Sequence, residues 1–165
     1  MKKLLKLFAI ALMTSVFALG FVSCSNDSDD DDDPLATFVG TESYDGTFDD
    51  EDIEDYGIDS KYLNKKYTEE LKYTIKFYDT TYEVVGNFKI TCEGSTLLNE
   101  TATFEKGKYT ITEGDFTNGT VVLLKTHDYF ESSGLTELSE SDQEETEISI
   151  VDSKFKYDYF EFTKQ

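Results

Sequence analysis

The chain has 165 residues, with 35 Asp and Glu against 15 Lys and Arg, one His, and a formal charge of −20. That balance excludes nucleic acid as a partner, because phosphate recognition takes clustered Lys and Arg, and it excludes flat adsorption on anionic lipid for the same reason. The length fits one domain with a tether.

Met1, Lys2, Lys3 and Lys6 precede an apolar run from Leu7 to Val22, the order of a secretory signal. Thr14, Ser15 and Gly20 inside the run, and the acidic tract directly after it, argue against a permanent span and for a cleaved segment over residues 1–23. The run ends in Phe21, Val22, Ser23, Cys24, Ser25 and Asn26, which resembles the lipobox of bacterial lipoproteins. The resemblance implies a diacylglyceryl group on the Cys24 thiol, cleavage just before it, and acylation of the new amino terminus. Membrane lipid is then a partner through Cys24. The implied location is the bacterial cell envelope, at the outer membrane or cell surface rather than the inner membrane, since Ser25 carries no obvious retention signal. The alternative is an ordinary cleavage site near Ser23 that leaves Cys24 a free thiol. Two or more acyl chains anchor stably, whereas one holds only reversibly.

Cleavage removes three lysines and no acid, so the mature chain carries 35 acids against 12 bases, a charge of −23. Once Cys24 is acylated, Cys92 has no intramolecular partner, and stability has to come from packing. Cys92 shares the strand phase of Phe88 and Ile90 and reads as a small buried apolar residue.

Residues 24–34 read as the lipidated cysteine and an extended, disordered tether. From Ser25 to Pro34 nothing can join a core, and the repelling Asp side chains stiffen the segment. Ten such residues reach about 35 Å at about 3.3–3.6 Å each. Calcium binding by the Asp run is the alternative, but useful affinity needs ligands folded around the ion.

After Pro34 the pattern turns to strands. A first segment runs around Phe38 to Tyr44. Leu71, Tyr73, Ile75 and Phe77 then alternate with polar neighbours at a period of two, not the 3.6 of a helix. Asp79 and Thr80 supply a turn. Tyr82, Val84 and Val85 lead to Gly86, read as a bulge or bend, before Phe88, Ile90 and Cys92 resume the alternation. Ala102 and Phe104 form a short strand, a turn is expected at Lys106 to Lys108 around Gly107, and Tyr109 and Ile111 follow. Further turns are expected at Glu113 to Asp115 and at Asn118 and Gly119, ahead of the run Val121 to Leu124. Ile148 and Ile150 are expected to pair with Tyr159, Phe160 and Phe162 across a turn near Asp152 and Ser153, with a bulge at Tyr159 and Phe160.

These make about eight strands joined mainly by short turns, with no amphipathic helix long enough to cover a parallel sheet. The expected fold is all-β, an antiparallel up-and-down meander closing into a small barrel over residues 35–165, its interior either filled or able to hold one ligand. Phe38, Val39, Gly40, Thr41 and Glu42, with Asp45 and Gly46 after them, look like the first strand of bacterial lipocalin-like lipoprotein domains. Gly107 to Ile111 resembles a recurrent mid-barrel strand of that family, and Tyr159 to Lys164 is similar to its closing strand. The chain has no Trp, which that family carries after the first-strand glycine. The resemblance implies a lipocalin-like barrel that binds a small apolar or amphipathic ligand.

Two acidic segments, Asp49 to Asp59 and Glu137 to Glu147, read as solvated loops or a short helical turn at the barrel mouth, with a metal site as the lesser alternative. His127 is the sole histidine, and Asp128 beside it points to the opposite strand face, badly placed to orient an imidazole. Zinc needs more His and Cys ligands than one of each, and among so many acids a pair of carboxylates is no signal for glycoside hydrolysis. No Gly-rich phosphate loop is present. The reading is a non-enzyme with no metal and no cofactor. Of the 13 Phe and 11 Tyr, most belong to the core. Tyr73, Phe77, Tyr82, Phe88, Tyr109 and Tyr159 are the candidate ligand-binding residues, with the tyrosines from Tyr73 to Tyr82 and from Tyr157 to Tyr159 able to aim hydroxyls inward. The rival reading is a β-sandwich surface protein that contacts envelope or host proteins through its acidic loops. Strand order separates the two: sequential neighbours make a barrel, and a strand crossing between sheets makes a sandwich.

Overall fold

The computed structural model describes residues 33–130, 133–157 and 159–165. The signal segment, Cys24 and the tether as far as residue 32 lie outside the described residues. Five long strands, β1 (Ala36–Thr47), β2 (Lys66–Phe77), β3 (Thr81–Cys92), β4 (Ser95–Gly114) and β5 (Gly119–Phe130), follow one another as antiparallel neighbours. The short β6 (Gly134–Glu137) folds back on the end of β5, and β7 (Glu144–Ile150) pairs with its first half. β8 (Lys154–Tyr157) and β9 (Phe160–Lys164) form the last hairpin. β9 closes on β1 through Phe38↔Lys164 and Val39↔Thr163, and a single bridge, Val151↔Lys154, joins β7 to β8. With β6 as a flap, eight strands make the wall, so the expected antiparallel all-β meander is the fold found, curled into a barrel-like sheet. The neighbours are sequential from β1 to β5, and among the described residues no strand crosses to a second sheet, which replaces the sandwich arrangement.

Closure is confined to one end. Beyond Val39, β1 pairs with β2 alone, and before Glu105, β4 pairs with β3 alone, among the described residues. The other end is therefore a curled half-barrel.

Alternation puts one face of each strand inside: every second residue of β3 from Tyr82 to Cys92 is buried. At the closed end Phe155 stacks on Phe162 with ring centroids 5.2 Å apart and meets Phe38 edge-on at 4.9 Å. Phe116, from the β4–β5 loop, plugs this end 4.8 Å from Phe77. The half-barrel holds a second cluster around Phe48, Leu71, Phe88 and Ile90, and Cys92 is buried there as expected. Each such side chain contributes roughly 1.5–3 kcal/mol by leaving water.

The first acidic segment supplies this cluster's cover. Asp49 caps the helix α1 (Asp50–Asp55) reciprocally with Asp52: the Asp52 N–H donates to Asp49 Oδ1 at 2.8 Å and the Asp49 N–H to Asp52 Oδ2 at 3.3 Å. Three acids in the first turn complement the helix dipole. A 3-10 turn, Ser60–Tyr62, follows.

Several local expectations are corrected. No turn forms at Lys106 to Lys108; β4 runs through it unbroken. Gly107 is glycine because strands crowd there: a methyl would fall 2.7 Å from Cε1 of Tyr82 and nearer still to the Leu124 carbonyl oxygen. The turns at Gly114 and Asn118 are two ends of one loop, tied by Asp115 Oδ1 accepting from the N–H groups of Thr117 at 2.6 Å and Asn118 at 3.1 Å. Gly86 lies in an unbroken strand, and the register shift beside it places the extra residue, Phe104, on β4. Ile148 and Ile150 pair with Val121 and Gly119 of β5, not with β9, because the turn at Asp152 and Ser153 leads into β8. Both turn residues have positive φ, 49° and 63°, as a tight hairpin reversal requires. Tyr159 and Phe160 form no bulge; Tyr159 belongs to the β8–β9 turn.

Candidate functional site

Two bulges build a polar patch inside the aromatic wall. On β4, Val84 faces Glu105 while Val85 faces Thr103, so Phe104 is extra. That shifts the phase of the strand and brings Glu105 to the inner face. On β5, Lys106 faces His127 while Gly107 faces Lys125, so Thr126 is extra. The second shift carries Asp128 inward, directly opposite Glu105 in the register.

Glu105 is 9% exposed. The buried hydroxyl of Tyr82 donates to its Oε1, and the Tyr157 hydroxyl lies 2.9 Å and 3.0 Å from Oε1 and Oε2. The Lys125 ammonium, at the Gly107 position of the neighbouring strand, donates to Asp128 Oδ2 at 3.0 Å and lies 3.8 Å from Glu144. Asp128 Oδ1 accepts from the Tyr129 N–H at 3.0 Å.

Burial pushes the Glu105 carboxyl up and Asp128 adds to this, against the lowering effects of Tyr82, Tyr157 and Lys125. For Lys125 burial works downward, yet the bond to Asp128 and the charges of Asp128, Glu105 and Glu144 outweigh it and raise its pKa. Burial and Glu105 together raise Tyr82 far above an ordinary phenol, so it serves as a donor. The patch can accept hydrogen bonds and hold positive charge.

Around it lies a cleft of about 250 Å³ whose apolar walls include Tyr73, Val84, Phe104 and Phe160, with Glu105, Lys125, Asp128 and Tyr157 at its polar side. Tyr73 meets Phe160 edge-on at 4.6 Å and Phe104 at 5.9 Å. A second cavity of about 190 Å³ shares Glu105, Lys125 and Tyr157 with the first and opens between β7 and β8, where only the Val151 bridge joins these strands among the described residues.

Of the residues expected to bind ligand, Tyr73, Tyr82 and Tyr159 come together here: Tyr73 in the wall, Tyr82 at its base through Glu105, and Tyr159, 83% exposed, at the rim. Phe77 and Phe88 are fully buried in the two core clusters. Tyr109 packs against the closed-end core, and its hydroxyl donates to the Tyr78 carbonyl at 2.6 Å. Sequence reasoning missed Glu105, Lys125 and Asp128. A signal was present: Ala102 and Phe104 are even, Tyr109 and Ile111 odd, and a phase switch inside one strand implies a bulge that turns Glu105 inward.

A second buried pair is structural. Tyr56 donates to Glu69 Oε1 at 2.7 Å, and Tyr67 lies 3.5 Å from Asp52 Oδ2, so α1 is tied to the inner face of β2. Among the described residues no three His, Cys, Asp or Glu side chains gather to hold a metal ion. His127 bonds Thr126 Oγ1 through Nδ1 at 3.0 Å, outside the cleft lining. Comparison of the chain with protein families, with characterised proteins and with solved structures returns no match in any of the three.

Proposed function

We propose that this chain is an envelope lipoprotein, anchored through acylated Cys24, whose barrel binds a small amphipathic ligand in the cleft between β4, β5 and β9. The observation that carries the binding half is the juxtaposition of the aromatic walls Tyr73, Phe104 and Phe160 with Glu105, a carboxylate buried and oriented by two tyrosines. Ligand sites are typically apolar pockets with a few convergent polar groups, and this cleft has that composition. The closed-end interior is filled by rings, so the ligand sits at the seam and not on the barrel axis. The anchor half is supported by the Phe21 to Cys24 motif at the end of the apolar run.

Two measurements test the two halves separately. Metabolic labelling with a fatty acid should mark the wild type and not Cys24→Ala; label persisting in the variant removes the anchor. Thermal unfolding of the mature protein in detergent against small amphipathic compounds should show a rise in Tm, about 2.7 kcal/mol of stabilisation at a hundredfold excess over Kd. The rise should vanish in Phe104→Asp, and no shift with any compound removes the binding site.

A further inference from the structure

The charge pattern of the cleft narrows the ligand class. Glu105 and Asp128 stand opposite each other on neighbouring strands, an arrangement of like charges that is unfavourable by itself. The Lys125 ammonium bonds Asp128 and is shared with Glu144 at the cavity behind. Asp128 and Glu144 therefore hold that cation, while among the described residues no ammonium pairs with Glu105 within 4 Å. Glu105 receives hydroxyl protons from Tyr82 and Tyr157 alone among the described residues, whereas an ionised carboxylate offers about four acceptor positions. Its remaining acceptor capacity serves whatever enters. The walls beside it are the rings of Tyr73, Phe104 and Phe160, and aromatic faces attract cations. The cleft's volume of about 250 Å³ is the room of roughly eight waters at about 30 Å³ each, so the occupant has about that many non-hydrogen atoms or slightly more.

We propose that the cleft takes a small organic cation, a primary ammonium on an aromatic or short alkyl body, with the ammonium on Glu105, on the side facing Asp128, and the body against Tyr73, Phe104 and Phe160. This rests on the cleft being the binding site. Neutral and anionic ligands of the same shape are discriminated against: a hydroxyl brings one donor in place of three, and a carboxylate meets two like charges. The acidic surface of the whole chain adds to the effect by concentrating cations near the mouth.

The test is titration of the mature protein in detergent with three probes of one shape, 2-phenylethylamine, 2-phenylethanol and phenylacetate, followed by amide NMR shifts and calorimetry at low salt. The amine is expected to bind at least tenfold tighter than the alcohol, with the carboxylate weakest and the shifts centred on Tyr73, Phe104 and Tyr157. Glu105→Gln should cost the amine about tenfold and leave the alcohol unchanged. Asp128→Asn, at the cleft side and away from the two tyrosine bonds, should give a smaller loss and serves if the Glu105 variant unfolds. Alcohol or carboxylate binding as tightly as the amine overturns the cationic class while leaving the cleft as a site. Binding by none of the three overturns the class and the cleft together.

Discussion

Gly107→Ala separates the two meanings a glycine carries in this chain. If Gly107 sat in an exposed turn at negative φ, alanine would change stability by less than about 1 kcal/mol and would stabilise through the unfolded chain. In the structure a methyl at this position lands 2.7 Å from the Tyr82 ring and closer to the Leu124 carbonyl oxygen, where real Cβ contacts below 3.0 Å essentially do not occur. The oxygen belongs to backbone, so relief requires β4 and β5 to part at the Gly107↔Lys125 pair. Overpacking of this kind costs about 1–3 kcal/mol. A ladder hydrogen bond lost in the parting adds about 1 kcal/mol, and loosening the Tyr82 donation to Glu105 adds to it. The sum is about 3 kcal/mol, or about 10 °C in Tm for a domain of this size. Gly94→Ala is the control: its φ is +80° and nothing lies within 4 Å of the added methyl, so its cost is the left-handed backbone alone, about 1 kcal/mol. Urea unfolding of both variants provides the assay. A Gly107→Ala midpoint no lower than that of Gly94→Ala would refute the continuous β4 strand and the crowding drawn from it.

Two more outcomes are expected. Burial holds the Glu105 carboxyl above its ordinary 4.5, so the folded state binds that proton more tightly than the unfolded state. Stability from this group is therefore complete below the unfolded pKa and is lost as pH rises through the folded one. Glu100 is raised by burial in the same direction but is common to both proteins, so wild type should lose stability relative to Glu105→Gln as pH rises above the ordinary 4.5 of a glutamate in paired urea titrations; a constant difference would count against the shift. At the covered half-barrel, Asp49→Ala removes the acceptor for the Asp52 N–H and should cost about 0.5–2 kcal/mol, with faster amide exchange in α1 than in β2; uniform acceleration across both would argue against a local cap.

How far the chain declares its own structure depends on which residues are asked. β2 and β3 are legible because their two faces meet different surroundings, core on one side and solvent on the other, so Leu71 to Phe77 and Phe88 to Cys92 alternate without interruption. The pairing of β7 with β5 is not legible. The alternation of Ile148 and Ile150 fits either partner, and only the turn at Asp152 and Ser153 that leads into β8 puts another strand between β7 and β9. β4 hides more. A glycine flanked by two lysines reads locally as a turn, and nothing local reveals that Leu124 presses against it. The partners of Glu105 are equally remote, since Tyr82 lies 23 residues before it and Tyr157 52 residues after it. The failures at Gly107 and Glu105 share a cause. The bulges at Phe104 and Thr126 break the period on which sequence reading depends, and the same breaks turn Glu105 and Asp128 inward. A strictly alternating β4 would have kept Phe104 inside and turned Glu105 to water, leaving a greasier wall without a buried carboxylate. Departure from the local pattern thus falls at the position that puts a buried carboxylate in the cleft.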